Sequence, residues 1–382
     1  MTKRRNPFDY GGPVSGDHFA GRTREVAAVV NRLTDHVGIV VTAPRRYGKS
    51  SLVKQACEEL ERKEPSPAVV HVNLLQAGSL TTVAALLLRR LYQVPGGPWH
   101  TAKNTVPGFL RRIRMQPTTN FDASGAPTFT FAPGFAPAEI SRVFDDAYAT
   151  LNEIGRKRPA VLFLDEFQAV ADLDEHLPRQ LKALADQYRN VAMVLAGSKQ
   201  HLMESLVLAK GAPLYNMLER MSLGPIPEED WVPFLLRRAH LGGRPFADET
   251  TVHGLWDIAG PVPFDVQQMA YESFNQAGDY IDRRTVDVAT SELVHHQAAD
   301  YARVFERLSP GQRRVLKVLA RGPRTTGSAE FAQEVELANA ASVGRAIQAL
   351  VTSELVVQRQ VGYAVDDPFF AAWLRGADGE GR

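Results

Sequence analysis

A chain of 382 residues with 44% hydrophobic and 23% charged residues has room for two or three units that each bury a core, and its composition excludes extended disorder. Its single cysteine, Cys57, excludes internal disulfides and metal sites built from several thiolates, as expected of a reducing compartment. The net charge of +1 neither requires nor excludes nucleic acid, because a balanced total can conceal a basic face on one unit.

The N-terminal sequence MTKRRNPFDYGG has basic residues with no apolar stretch behind them, and no apolar run approaches the ~18 residues that span a bilayer. A cytoplasmic protein without membrane contact is expected. After a Pro/Gly-rich arm over residues 1–17, Glu25 to Leu33 has helical spacing, and Val37 to Thr42 is a β-branched run that reads as a buried strand. Ser50 to Lys63 reads as a helix, Ala68 to Leu74 as a second buried strand, and Leu80 to Tyr92 as a helix with an apolar face. This β-loop-α-β order predicts an α/β fold with a parallel sheet covered by helices.

Between about 94 and 137 the texture changes to Pro, Gly, Thr and aromatics. Arg112 to Met115 and Thr128 to Phe131 alternate around a turn at Asp122 to Gly125, which predicts an inserted hairpin. Ala138 to Leu151 returns to helix, Ala160 to Asp165 is a third strand, Pro178 to Tyr188 a helix, Val191 to Ala196 a fourth strand and Ser222 to Ile226 a fifth. Beyond Pro227 four helices follow, at Asp230 to Ala239, Glu249 to Ala259, Pro263 to Asn275 and Thr285 to His296, separated by Gly/Pro turns. From Ser309 the order is helix (Gly311–Ala320), helix (Ser328–Glu334), helix (Ala340–Thr352) and a hairpin of Val356–Gln358 with Tyr363–Val365, which is the order of a winged helix. The expected organisation is an arm (1–17), an α/β domain (18–228), a helical lid (229–300) and a winged helix (301–382).

Ala43-Pro44-Arg45-Arg46-Tyr47-Gly48-Lys49-Ser50 has P-loop spacing with alanine in place of the first glycine. In such a loop successive amides face one concavity that holds phosphate oxygens, and the following helix adds its N-terminal dipole. Lys49 would reach the β- and γ-phosphates of ATP, the Ser50 hydroxyl would ligate Mg²⁺, and Gly48 would supply a backbone conformation or a clearance that a Cβ obstructs. The preceding β-branched strand and the following helix are the context the motif requires, and Ser51 continues it. Val161 to Leu164 followed by Asp165 and Glu166 puts two carboxylates at the end of a buried strand, where Asp165 would hold the metal and Glu166 would orient or deprotonate the attacking water. Ser198, after Val194 to Gly197, is placed either to contact the γ-phosphate or to cap a helix.

Phe19-Ala20-Gly21-Arg22-x-x-Glu25, Pro44 to Leu52, Leu164-Asp165-Glu166-Phe167-Gln168, Ala196-Gly197-Ser198 and Pro213-Leu214-Tyr215 together resemble the archaeal-type ATPases of the AAA+/STAND group of P-loop NTPases. Gly260-x-x-Pro263-Phe264, Tyr363-x-Val365-x-Asp367-Pro368-Phe369 and Trp373-Leu374-Arg375 extend the resemblance over nearly the whole chain. It implies an ATP-dependent switch or motor with an α/β core, a helical lid whose Gly260–Pro263 segment lies near the adenine, and a C-terminal winged helix. It also implies that Phe19 and Gly21 set the chain against the adenine pocket, and that the protein forms homo-oligomers. Asn216-Met217 stands where the family has Gly-Arg. Arg220, taken as one helical turn on, is the substitute for an arginine acting on a neighbour's γ-phosphate, against the simpler reading of a surface arginine. The role of Arg45 and Arg46, toward phosphate, partner or carboxylate, stays open.

Two surfaces raise DNA as a partner, with a protein partner as the alternative. Ser342, Arg345 and Gln348 recur every three residues on the third winged-helix helix, although residues 301–382 carry only 11 Lys and Arg against 9 Asp and Glu. The inserted hairpin mixes Arg111, Arg112 and Arg114 with Phe129 and Phe131, as surfaces that track nucleic-acid backbones do and as any half-buried hairpin does. His295-His296 has no ligand spacing, so no metal beyond nucleotide-borne Mg²⁺ is expected. ATP hydrolysis is the expected activity, with a slowly hydrolysing nucleotide-gated module as the rival; a small-molecule kinase fits less well, because no acceptor pocket is apparent in the sequence.

Overall fold

Strand β5 (Ala160–Asp165) is buried at every residue and paired on both sides, so it can carry an apolar run with no polar face. The computed structural model describes residues 5–63, 65–95, 118–121, 127–130, 137–359 and 361–377. The described residues fall into two compact units, one of residues 12–225 and one of residues 5–11 with 226–377.

In the first unit β1 (Ile39–Thr42), β2 (Ala68–Asn73), β5, β6 (Ala192–Gly197) and β7 (Glu219–Ser222) form an all-parallel sheet in the order β2-β5-β6-β1-β7. Parallel neighbours need crossovers, and helices α2 (Lys49–Glu61), α3 (Leu80–Tyr92), α4 (Pro137–Gly155) and α5 (Leu177–Gln187) intervene between strands, while α1 (Thr23–Thr34) precedes β1. One face of the sheet, with Val70, Val72, Leu162, Leu164, Met193 and Leu195, is packed by Val83, Leu87 and Leu91 of α3, Phe144 and Leu151 of α4 and Leu181 of α5. The helices α1 and α2 pack together and bury Val26, Val29, Leu33, Leu52, Val53 and Ala56.

Four sheet strands lie where the apolar runs predict them. The fifth does not. The edge strand is Glu219–Ser222, ahead of the expected Ser222 to Ile226, because Leu223-Gly224-Pro225 contains a residue without an N–H while Glu219 to Ser222 has one for every bond to β1. Polarity suits its edge position. Antiparallel strands β3 (Thr118–Phe121) and β4 (Pro127–Thr130) form the inserted hairpin. The expected first strand, Arg112 to Met115, lies outside the described residues together with the turn at 122–125 and Phe131.

The second unit contains α6 (Glu228–Leu241), α7 (Glu249–Ala259), α8 (Pro263–Gln276) and α9 (Arg283–Glu306), then α10 (Pro310–Leu319), α11 (Ala329–Glu334), α12 (Ala340–Thr352), the β8–β9 hairpin (Val356–Gln358, Tyr363–Val365) and α13 (Pro368–Ala377). Helix α9 runs 24 residues without a break through position 300, and its end is claimed by the C-terminal core, where Tyr301 stacks on Phe370 at 5.0 Å. Residues of the N-terminal arm pack here too: Phe8 is buried, Asn6 Nδ2 donates to the Tyr271 carbonyl at 2.9 Å, and Tyr10 meets Phe264 and Tyr271 edge-on.

Two tests follow from this packing. Cys57 lies inside α2 at 7% exposure, and burial, with Glu61 and Glu58 beside it, pushes its thiol up to about 12. Alkylation at pH 8 is therefore expected to proceed only as fast as the unit opens, and to reach the free-thiol rate in urea. A Cβ on Gly362, where φ is +73°, would lie 2.0 Å from the Arg324 carbonyl oxygen that accepts the Tyr363 amide. Gly362→Ala should cost about 1–3 kcal/mol, read in calorimetry as a lower transition for the C-terminal unit.

Candidate functional site

Because the sheet is parallel, the carboxyl ends of its strands share one edge: Thr42 of β1 pairs with Gly197 of β6, and Asn73 of β2 with Asp165 of β5. The loop Ala43–Gly48 leaves this edge and enters α2 at Lys49. Arg46 (φ +69°) and Gly48 (φ +80°) are left-handed, the backbone signature of a loop that curls its amides into a concavity. For Gly48 the requirement is conformational, since the nearest atom to an added Cβ is the Ser51 Cβ at 4.0 Å. Lys49 is buried, and its Nζ donates to the carbonyls of Ala43 (3.1 Å) and Pro44 (3.0 Å).

Ser50 Oγ donates to Asp165 Oδ2 at 2.6 Å, joining the start of α2 to the end of β5. Burial opposes ionisation of Asp165, but the nearby His71 imidazole and hydrogen bonds from the Ser50 hydroxyl and the Glu166 amide outweigh it and hold the carboxyl below its ordinary value. A hydroxyl and an ionised carboxylate in contact form an oxygen-only donor pair of the kind Mg²⁺ takes, so the residues present fit that ion. Next to Asp165, Glu166 adopts φ +54° and its carboxylate accepts from Ser198 Oγ at 3.2 Å and from Gln168 Nε2 at 2.5 Å.

Lys49, Ser50, Asp165, Glu166 and Ser198 are thus gathered on one sheet edge. Ser51 turns its hydroxyl to the Val14 amide at 3.1 Å and is buried. Phe19 closes a turn on the Gly16 carbonyl, and Gly21 and Arg22, both at φ +59°, turn the chain into α1. Tyr47 is buried and Arg45 exposed. Arg220 is not on a helix after Pro213-Leu214-Tyr215, as expected, but in edge strand β7, where its guanidinium donates to the Leu208 carbonyl and lies 5.9 Å over the Tyr215 ring; the need to pair with β1 extends this segment. Pro263 belongs to the second unit, as the first residue of α8. Arg111, Arg112, Arg114 and Phe131 lie outside the described residues, and of Phe129 the backbone in β4 is described. Among the described residues no group of three or more His, Cys, Asp and Glu could hold a metal ion, and no helix is long and apolar enough to cross a membrane.

Three residues near this edge have no role assigned by the sequence, although Arg22 and Gln168 lie inside the motifs quoted above. His71 stacks on Phe163 at 4.3 Å and brings Nε2 to 3.6 Å from Asp165 Oδ2. Its signal is a lone histidine in an otherwise apolar strand. Gln168, 3% exposed, bridges Glu166 and Ser198. Arg22, 5% exposed, donates to the carbonyls of Tyr47 (3.1 Å) and Gly224 (2.7 Å) and sits 3.5 Å from Glu25; burial lowers its pKa, with Glu25 opposing.

Residues 18–194 match a family described as an AAA ATPase domain, and residues 299–376 match one described as a probable winged helix domain. No curated protein matches the sequence. The chain is similar in structure to the Walker-type ATPase of Pyrococcus abyssi, with a TM-score of 0.62 and 15% identity over 97% of this chain and 99% of that one. It is also similar to the Aeropyrum pernix ORC2 protein in its ADP form (TM-score 0.53, 16% identity, 99% and 97% covered) and to the Aeropyrum pernix ORC1 protein in complex with DNA (0.51, 14%, 96% and 94%). At these identities the likeness is one of fold.

Arg22→Ala would leave two main-chain acceptors behind the loop without their donor, a loss of about 2–3 kcal/mol in urea unfolding. Arg22→Lys should recover little of it, because an ammonium cannot span both carbonyls as the guanidinium fork does.

Proposed function

We propose that this chain, which carries an AAA ATPase domain and a C-terminal winged helix domain, binds ATP with Mg²⁺ and hydrolyses it at the sheet edge formed by Lys49, Ser50, Asp165 and Glu166. The observation that carries the proposal is the 2.6 Å contact of Ser50 with Asp165 at the first turn of α2, beside the buried Lys49. The backbone N–H groups of Ala43 and of Arg45 to Ser51 would cradle the phosphates, with Pro44 in the loop contributing none, and Lys49 would exchange its bonds to the Ala43 and Pro44 carbonyls for phosphate oxygens. Ser50 and Asp165 would hold the metal, which when bound neutralises charge developing on the phosphate oxygens. Glu166 orients the water and takes its proton, and Ser198 donates to the γ-phosphate.

The remaining roles follow the family resemblance. Phe19 and Gly21 would border the adenine, and Arg220 on edge strand β7 would serve a neighbouring subunit of a homo-oligomer. Nucleotide state would then change what the C-terminal unit binds.

A DNA partner is favoured by one feature of α12. Its Val343, Ile347 and Leu350 are buried, while Arg345 and Gln348 are exposed and Arg345 donates to Ser342 at 3.1 Å, which leaves a polar face for a groove. The DNA in the ORC1 complex belongs to that protein; for this chain the α12 face is the argument.

Steady-state hydrolysis and nucleotide binding test the reading together. Lys49→Ala is expected to lose both. Glu166→Gln should keep ATP within a few-fold of wild-type affinity while turnover falls by about 10²–10⁴-fold, the usual effect of removing a general base. Equal and negligible turnover in wild type and Glu166→Gln, with nucleotide still bound through Lys49, would identify a nucleotide-gated switch instead. For the winged helix, duplex binding that weakens steeply with salt and is lost in Arg345→Ala is expected; binding indifferent to Arg345 would turn the search toward a protein partner.

A further inference from the structure

The Glu166 carboxylate takes both of its side-chain donors on one oxygen: Gln168 Nε2 reaches Oε2 at 2.5 Å and Ser198 Oγ reaches the same atom at 3.2 Å. Gln168 does not stop at the carboxylate. Its Nε2 lies 3.3 Å from Ser198 Oγ, and its Oε1 accepts the Ser198 backbone amide at 3.2 Å. A single amide, 3% exposed, therefore ties the end of β5 to the end of β6. Its orientation is dictated by its partners, since a flipped amide would set N–H against N–H at Ser198 and oxygen against oxygen at Glu166.

The surroundings leave this amide little freedom. A Cβ on Gly197 would lie 2.7 Å from Gln168 Oε1 and 2.3 Å from Met203 Sδ, so the bare Cα of Gly197 is what admits Gln168, with the fully buried Met203 behind it. Glu166, in the left-handed region at φ +54°, has its side-chain direction set by a backbone conformation that non-glycine residues rarely adopt.

The Ser198 hydroxyl has one proton. Donated to Glu166, it is not available to a phosphate; donated to a phosphate, it releases Glu166 from one of its two ties. Gln168 is unaffected by that exchange at its carbonyl end, because the Ser198 amide continues to hold it. We propose that Gln168 is a positioning residue that makes Ser198 and Glu166 one hydrogen-bonded unit, so that a terminal phosphate engaging Ser198 sets the orientation of the Glu166 carboxylate. The clamp thereby favours a nucleoside triphosphate over a diphosphate. This rests on the nucleotide reading of the same site.

The test uses the full chain with Mg²⁺, ADP and a non-hydrolysable ATP analogue, and compares wild type with Gln168→Met and Gln168→Glu. Methionine matches the volume without either bond; glutamate preserves shape and the acceptor for Ser198 but sets a second carboxyl against Glu166 in place of the neutral amide donor. Both variants are expected to bind ADP within about twofold of wild type, to lose the preference for the triphosphate analogue by about tenfold, and to drop kcat by 30-fold or more with KM within threefold. A role in packing alone would leave Gln168→Met, which matches the volume, unchanged in all three. Should Gln168→Met not fold, as judged by its melting transition, Gln168→Glu by itself carries the test. Triphosphate preference and kcat within a factor of two of wild type in Gln168→Glu, with Lys49→Ala unable to bind nucleotide, would overturn the clamp and leave the site reading standing. Nucleotide binding by Lys49→Ala equal to wild type would overturn both. If wild type binds but does not turn over, the triphosphate preference of the variants decides the proposal without the kinetics.

Discussion

The contact between Ser50 and Asp165, residues 115 positions apart, is the constraint on which the site depends. It exists because β1 and β5 run parallel with β6 alone between them, so the loop leaving β1 and the acids ending β5 emerge on the same edge. An antiparallel β5 would put the same acids at the opposite edge. The fully apolar run Ala160 to Leu164 serves the site indirectly, by requiring a strand that is covered on both faces and paired on both sides.

Charge at this edge is accommodated by hydrogen bonding more than by ion pairing. Lys49 is held by main-chain carbonyls, Arg22 chiefly by carbonyls of Tyr47 and Gly224, and Asp165 by a hydroxyl and an amide. Such groups are oriented before any ligand arrives, which limits the reorganisation that binding requires. Left-handed backbone at Arg46, Gly48 and Glu166 is the cost of that orientation, and strain of this type persists where the surrounding packing determines it.

The C-terminal unit follows a different logic, in which local signals are strong and closure is decided at a distance. Ser309 and Gln312 form a reciprocal capping box, and Asn339 caps α12 through the Ser342 amide. These are short-range devices. What holds the hairpin is the pairing of Arg324 with Tyr363 in both directions, at 2.9 and 2.8 Å, across a loop that only the absence of a side chain at Gly362 allows.

The amino-acid sequence by itself determined the strands β2, β5 and β6, helices α3, α7 and α12, the wing, and the identity of Lys49, Ser50, Asp165, Glu166 and Ser198 as candidates. Each has a local signature: an apolar run, a 3.6-residue period, a cap, or a spacing that a phosphate-binding turn imposes. Only the tertiary structure decided the register of the edge strand at Glu219–Ser222, the strand position of Arg220, the continuation of α9 to Glu306, and the roles open to His71, Gln168 and Arg22. An edge strand is selected by the hydrogen bonds its neighbour has left unpaired, a helix end by the core that receives it, and a bridging amide by two chain segments that meet across the sheet. None of these leaves a period in the residues themselves, so none could be read before the chain was folded.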